Sequence, residues 1–263
     1  MNKIDERVSL IRKEARIGLM THLVFGYPSL TKTVSIAKAM EDAGADFIEL
    51  QIPFSDPIAD GPTIMHACEK SLKNGFRTRD AVRVVRQLSS QLNIPILLMG
   101  YYNTVFRYGV EKFCRDFKQA GASGLIVPDM PLDEERSEHY IASCNRNGLY
   151  NIRVLSPSST RERILKNARV SGGFIYCTAV QGVTGTRRHI AVDLPNHLTR
   201  IKRYSKMPLA VGFGISSRSH VKTASKYADI VVVGSAIIKA MDADTTGTVE
   251  DRVSNLINGI MGR

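Results

Sequence analysis

Two carboxylates, Glu49 and Asp60, bracket the segment ELQIPFSDPIADGP (49–62), whose loop carries Pro53, Pro57 and Pro62. Glu49 sits inside an otherwise apolar run, ADFIELQIPF. Strand side chains alternate between faces, so Phe47, Glu49 and Gln51 share one side, and Ile48, Leu50 and Ile52 share the other. An ionised carboxylate inside a strand buried on both faces is costly unless something uses it. Glu49 is therefore a functional candidate. A Glu that merely reaches solvent at a strand end is the other reading open to it. Two carboxylates in unlike surroundings give a site the means to hold one acid and one anion.

Such residues need a scaffold, and the chain supplies a regular one. Short apolar runs rich in Val, Ile, Leu and Phe recur near 17–26, 46–54, 94–103, 123–131, 150–159, 173–182, 208–216 and 229–238. Most are separated by helix-period segments such as SIAKAMEDAGA, TRDAVRVVRQLSSQ and VEKFCRDFKQAGA. Alternating strands and helices with near-continuous apolar strands point to a parallel sheet covered by helices. Eight such units in 263 residues predict an α/β fold, a single (β/α)8 TIM barrel spanning 1–263. Ile4, Val8, Leu10 and Ile11 predict an additional amphipathic N-terminal helix before the first strand.

In barrels of this kind the site is built at the carboxyl ends of the strands, and phosphate often binds after strands 7 and 8. The glycine-bearing turns fall there: GVTG (182–185), GFGIS (212–216) and GSA (234–236). Backbone N–H groups at Gly214, Gly234 and Ser235, with Gly185 in the turn after strand 6, are candidates to converge on a phosphate. Turns need glycine in any case, so each glycine alone says little.

The bulk numbers exclude more than they identify. No apolar run approaches the roughly 18 residues of a membrane span. The opening MNKIDERVSLIRKEARIG lacks the apolar stretch of a signal peptide, so a cytoplasmic location is expected. Cys68, Cys114, Cys144 and Cys177 have no paired spacing and read as reduced, buried thiols. The net charge of +11 is spread over predicted helices, and no nucleic-acid-binding signature accompanies it. No cluster of metal-ligand spacing exists, and no cofactor is expected.

The motifs PFSDPIADGPTI (53–64), AGAD (43–46), MGYYN (99–103), VPDMP (127–131), GVTGTR (182–187), GFGIS and GSAI resemble the tryptophan synthase α-subunit family, in order and over nearly the whole chain. That resemblance implies retro-aldol cleavage of indole-3-glycerol phosphate to indole and glyceraldehyde 3-phosphate. It implies Glu49 as the general acid/base, Asp60 as the ionised partner of the indole N–H, and Tyr176 as a catalytic tyrosine near Glu49. Thr184 matches a threonine of a closing loop, Phe213 an aromatic against the substrate, and Tyr101 and Ile126 further substrate-binding positions. Asp56, Pro57, Asn103 and Pro131 match positions at the interface with a β subunit. The resemblance implies a heterotetramer of two α and two β subunits, with pyridoxal phosphate only in the β partner.

The chain departs from that family at two positions expected to meet substrate. Gln51 stands where glycine is usual, and His22 replaces an apolar or aromatic residue. Val24 and Tyr27 stand where Thr and Asp are common. Gln51 has several placements open to it: crowding the indole, bonding a more polar substrate, pointing into solvent, or being satisfied locally as buried polar groups usually are. A lyase with a different phosphorylated substrate, and a weakly catalytic docking subunit for a β chain, therefore remain alternatives to the family reaction.

Overall fold

The computed structural model describes residues 1–178, 194–212 and 214–263. Eight parallel strands close on themselves in chain order: β1 (Gly18–Val24), β2 (Phe47–Gln51), β3 (Ile96–Met99), β4 (Gly124–Ile126), β5 (Tyr150–Leu155), β6 (Ile175–Thr178), β7 (Leu209–Gly212) and β8 (Ile230–Val233). Closure comes from β1 pairing with β8, where Met20 lies opposite Val232. The expected (β/α)8 barrel is the fold.

Helices cover the outside. α1 (Lys3–Lys13) precedes β1, and α2 (Leu30–Asp42) follows it. α3 (Pro62–Lys73) and α4 (Thr78–Gln91) lie between β2 and β3, and α5 (Tyr102–Tyr108) and α6 (Val110–Ala120) between β3 and β4. α7 (Glu135–Glu138) and α8 (Tyr140–Arg146) come before β5, α9 (Arg161–Val170) before β6 and α10 (Leu194–Tyr204) before β7. α11 (Arg218–Ala224), α12 (Ser235–Asp242) and α13 (Val249–Met261) complete the described α-helices.

Strand parity divides the core in two. Ile48, Leu50 and Ile52 pack outward among the helices, while Phe47 points inward with Met20, Leu97, Ile126, Ile152, Phe174, Ala210 and Val232. The strands are shorter than the apolar runs that announced them. In the run near 94–103 only Ile96–Met99 pairs as strand; Gly100 and Tyr101 form the βα turn and stay buried, and α5 begins at Tyr102.

The N-terminal helix is the barrel's floor. Ile4, Val8 and Ile11 are buried and join the inward-facing cluster, each burial contributing roughly 1.5–3 kcal/mol. Leu10 falls off that stripe and is 39% exposed, so it is not one of the anchoring residues the periodicity suggested. Asn2 caps the helix by accepting from Ile4 N at 3.0 Å and donates to the Ser123 carbonyl at 2.9 Å. Arg16 holds Asp46 through two bonds of 2.7 Å. With the amino end closed in this way, the carboxyl end is left open for chemistry. All four cysteines are free and buried, as their spacing suggested.

Candidate active site

Register brings the first pair of functional side chains together. His22 on β1 lies opposite Glu49 on β2, and both side chains turn inward. His22 Nδ1 and Glu49 Oε2 are 3.0 Å apart, and both residues are buried. Burial pulls the His22 pKa down, but the charge of Glu49 and its hydrogen bond more than offset this, leaving it above the ordinary histidine value. The imidazolium–carboxylate form of the pair is thereby favoured.

Asp60 arrives from the loop that follows β2. A turn closed by Asp60 N donating to the Pro57 carbonyl at 2.9 Å aims it back over the barrel, immediately before the start of α3. Tyr101 Oη donates to Asp60 Oδ2 at 2.9 Å and accepts from Ala59 N at 3.0 Å, which fixes the loop to the end of β3. Gln51 Nε2 donates to the same oxygen at 2.6 Å, and lies 3.6 Å from Cys68 Sγ on α3. Burial pushes the Asp60 carboxyl above its usual range, against the donors Gln51 and Tyr101 and the nearby His22 charge. Asp60 was expected to be the plainly ionised member of the pair; in this setting its ionisation depends on those donors.

Of the placements open to Gln51, local satisfaction of its amide is the one observed. Its side chain is fully buried, does not line the cavity, and spends its amide on Asp60. Tyr101 likewise stands behind Asp60 and does not line the cavity. Both support a carboxylate where direct substrate contact was expected.

The cavity encloses about 860 Å³ of space when its open mouth is included. Its wall joins Glu49, Asp60 and His22 to apolar Ile64, Met99, Ile126, Val154 and Val232. Ile126 is where the sequence placed it. Tyr176 on β6 lines the same space, half-buried, and burial with the charges of Glu49 and Asp60 pushes its phenol well above the ordinary value. It is therefore a neutral hydroxyl at ordinary pH. Gly212, its neighbour on β7, leaves room for that ring: a Cβ there would lie 2.5 Å from Tyr176 Oη.

Gly214, Gly234 and Ser235 also line the cavity. Gly214 has φ +75°, a conformation L side chains rarely adopt. Gly234 caps α12 and Ser235 opens it, so the N–H groups of Ser235 and Ala236, which precede the first intrahelical bonds, stand at the cavity edge. Tyr27 donates from its hydroxyl to Asp242, tying the far end of α12 to the turn after β1. Thr184, Gly185 and Phe213 lie outside the described residues. Among the described residues no group of three or more His, Cys, Asp or Glu side chains is placed to hold a metal ion.

The sequence model of the family described as tryptophan synthase alpha chain matches residues 8–259. The chain belongs to the tryptophan synthase α chain family. A member from Roseiflexus sp. (strain RS-1) is 41% identical over 263 residues, covering the whole of both chains. The structure of Mycobacterium tuberculosis tryptophan synthase superposes with a TM-score of 0.90 at 34% identity, covering 99% of this chain and 97% of that one. A mutant tryptophan synthase α-subunit from Pyrococcus furiosus gives a TM-score of 0.86 at 32% identity, over 94% of this chain and 98% of that one.

In this α chain the residues matched to a partner interface lie on the rim around the cavity mouth. Asp56, Asn103 and Pro131 are exposed. Pro57 is buried, packed within the turn that aims Asp60, so it shapes the rim from beneath. Sequence reasoning missed the apolar members of the same rim: Ile58 is 75% exposed, Phe106 59% and Met65 44%. Large apolar side chains left in water beside functional loops were the signal available only in three dimensions.

Proposed function

We propose that this cavity is where the α chain performs its lyase reaction, the retro-aldol cleavage of indole-3-glycerol phosphate. One observation carries the assignment. Two buried carboxylates, Glu49 and Asp60, line an apolar cavity that the amino end of a helix also lines. The indole ring fits among Ile64, Met99, Ile126, Val154 and Val232, and the phosphate against Gly214, Gly234 and Ser235.

Glu49 delivers a proton to indole C3, which makes the ring an electron sink. Asp60 accepts the hydrogen bond of the ring N–H as that nitrogen becomes positive, through the oxygen that Gln51 and Tyr101 leave unused. The hydroxyl on the carbon next to C3 then gives its proton to Glu49 while the C–C bond breaks. Its electron pair returns to the ring, and indole and glyceraldehyde 3-phosphate result. One proton enters at C3 and one leaves the hydroxyl, so Glu49 ends as it began. Tyr176, held neutral, serves as a hydrogen-bond donor beside this centre. Gln51 stands outside the cavity, which removes the ground for a substrate selected by that side chain.

The exposed Ile58, Met65 and Phe106, bordered by Asp56, Asn103 and Pro131, support docking of a β subunit on the cavity rim. We assign two α and two β subunits to the assembly, with pyridoxal phosphate in the β subunit and a cytoplasmic location. Indole release from indole-3-glycerol phosphate, measured with and without a β subunit for wild type and Glu49→Gln, tests the reading. Turnover that rises with β and vanishes in the variant is the expected result. Wild-type chain that binds β but releases no indole would make it a docking subunit.

A further inference from the structure

The two catalytic carboxylates each have a dedicated polar side chain, Glu49 through His22 and Asp60 through Gln51. The reaction as written above does not use His22. We propose that His22 is a positioning residue that stores the proton Glu49 delivers, so that the acid–base unit of this site is a Glu49–His22 pair and not a lone carboxyl. The inference rests on the cavity being the lyase site.

Geometry makes the pair a closed unit. β1 and β2 put the two residues directly opposite each other, and Nδ1 faces Oε2 at 3.0 Å. Both are shielded from water, His22 being 7% and Glu49 2% exposed. A proton shared by them is therefore not readily lost to solvent. The outer ring atom, His22 Nε2, is buried without a hydrogen bond of good geometry, and so is Gln51 Oε1. A carboxylate can only accept, so Asp60 fixes the Gln51 amide with its nitrogen toward Oδ2 and its oxygen free. Gln51 thus spends its nitrogen on Asp60, and the charged imidazole is favoured chiefly by Glu49.

Few other groups bear on His22. From β2 and its following loop come Glu49 and Asp60, and from the end of β8 comes Gly234, which packs on the His22 Cβ and brings no charge. Tyr101 and Cys68 surround Asp60, and Tyr176 faces both carboxylates; burial pushes all three up, Cys68 to about 12, so they stay neutral. Net charge at the centre is set by Glu49, Asp60 and His22.

The proton count balances. The resting pair holds one proton. Delivery to indole C3 leaves the Glu49 carboxylate beside a neutral imidazole. The glyceryl hydroxyl then returns a proton to the pair as the C–C bond breaks and its electrons enter the ring. Removing His22 takes away one of the two sites that can hold that proton, so the site is expected to lose its acid function at lower pH.

Two measurements on the full chain test this. The first follows the His22 ring nitrogens by NMR through a pH titration of wild type and Glu49→Gln. The midpoint is expected above the ordinary histidine value in wild type, and lower by about one pH unit or more in the variant. A wild-type midpoint at or below the ordinary value, or one unmoved by Glu49→Gln, overturns the pair. The second compares the pH profiles of kcat and kcat/KM for wild type, His22→Asn and His22→Phe. The alkaline limb is expected to move toward acid by about one unit in both variants, roughly a tenfold loss on the alkaline side, with KM little changed. His22→Asn, which keeps an N–H toward Glu49, is expected to retain more rate at acid pH than His22→Phe. Profiles that superimpose on wild type, or a change confined to KM, overturn the role. Wild type that releases no indole at any pH overturns the lyase reading, whereas turnover with an unmoved profile overturns only the part given to His22.

Discussion

Gln51 Nε2 approaches Asp60 Oδ2 to 2.6 Å, and Tyr101 Oη meets the same oxygen at 2.9 Å. Two neutral donors on one oxygen of a buried carboxylate favour its ionised form without adding charge. The other oxygen is left for a substrate N–H.

Replacing Gln51 by glycine therefore removes a support and opens no blocked pocket. A hydrogen bond to a charged, buried group is worth about 1.5–3 kcal/mol, so Gln51→Gly is expected to lower kcat/KM at pH 7 by about tenfold or more. Asp60 would then ionise only at higher pH, so part of the loss should return as pH rises. Steady-state indole release across pH decides it, and a gain in rate would contradict this placement.

Glu49→Gln keeps the shape of the side chain and removes the transferable proton. The expected loss in kcat is about 10²- to 10⁴-fold, the usual contribution of a positioned acid–base group. Circular dichroism should show an unchanged fold, and glyceraldehyde 3-phosphate should still bind at the α12 end of the cavity.

Asp60 carries a stability signature with a definite sign. Its folded pKa is raised above 3.8, so native protein holds a proton that the unfolded chain has already released. That contribution is fully present below the unfolded pKa and is lost as pH rises through the folded one. His22, also raised, acts in the same direction over a higher window, from its unfolded value of 6.5 upward. Asp60→Asn cannot ionise. Its melting temperature relative to wild type is expected to climb as pH goes from 4 to 8, while activity falls; a difference that shrinks with pH would refute the burial argument.

Gly212 and Tyr176 must change together. A Cβ at position 212 would sit 2.5 Å from Tyr176 Oη and 3.0 Å from its Cζ. Gly212→Ala is expected to cost about 1–3 kcal/mol and to displace the ring from the cavity wall. Adding Tyr176→Phe removes the nearest clash, so thermal denaturation of the double variant should show recovery of part of that cost, a coupling readable as a double-mutant cycle.

The rim offers a test of docking that leaves the centre alone. Ile58→Ser and Phe106→Ser should each weaken β-subunit binding by about tenfold, the effect of losing an apolar anchor worth 1–2 kcal/mol. Because both side chains are exposed in the single chain, its melting temperature should not fall.

Local pattern settled a good part of this protein in advance. Apolar runs and helix periods depend only on near neighbours in the chain, so the eight strands, the order of the barrel and the inward parity of Glu49 were legible. So were Asp60 in its proline-rich loop and the glycine-bearing turns after β7 and β8. Pairing between distant segments was not. His22 meets Glu49 because β1 and β2 align in one register, and a slip of one residue would turn either side chain to the opposite face. Gln51 reaches Asp60 and Cys68 because the loop folds back and α3 packs beneath it, a closure no spacing specifies. Pro57 went inside and Ile58 outside for the same reason. Residue type and period fix which face a side chain takes on its own element; only the closed barrel decides which other element that face meets.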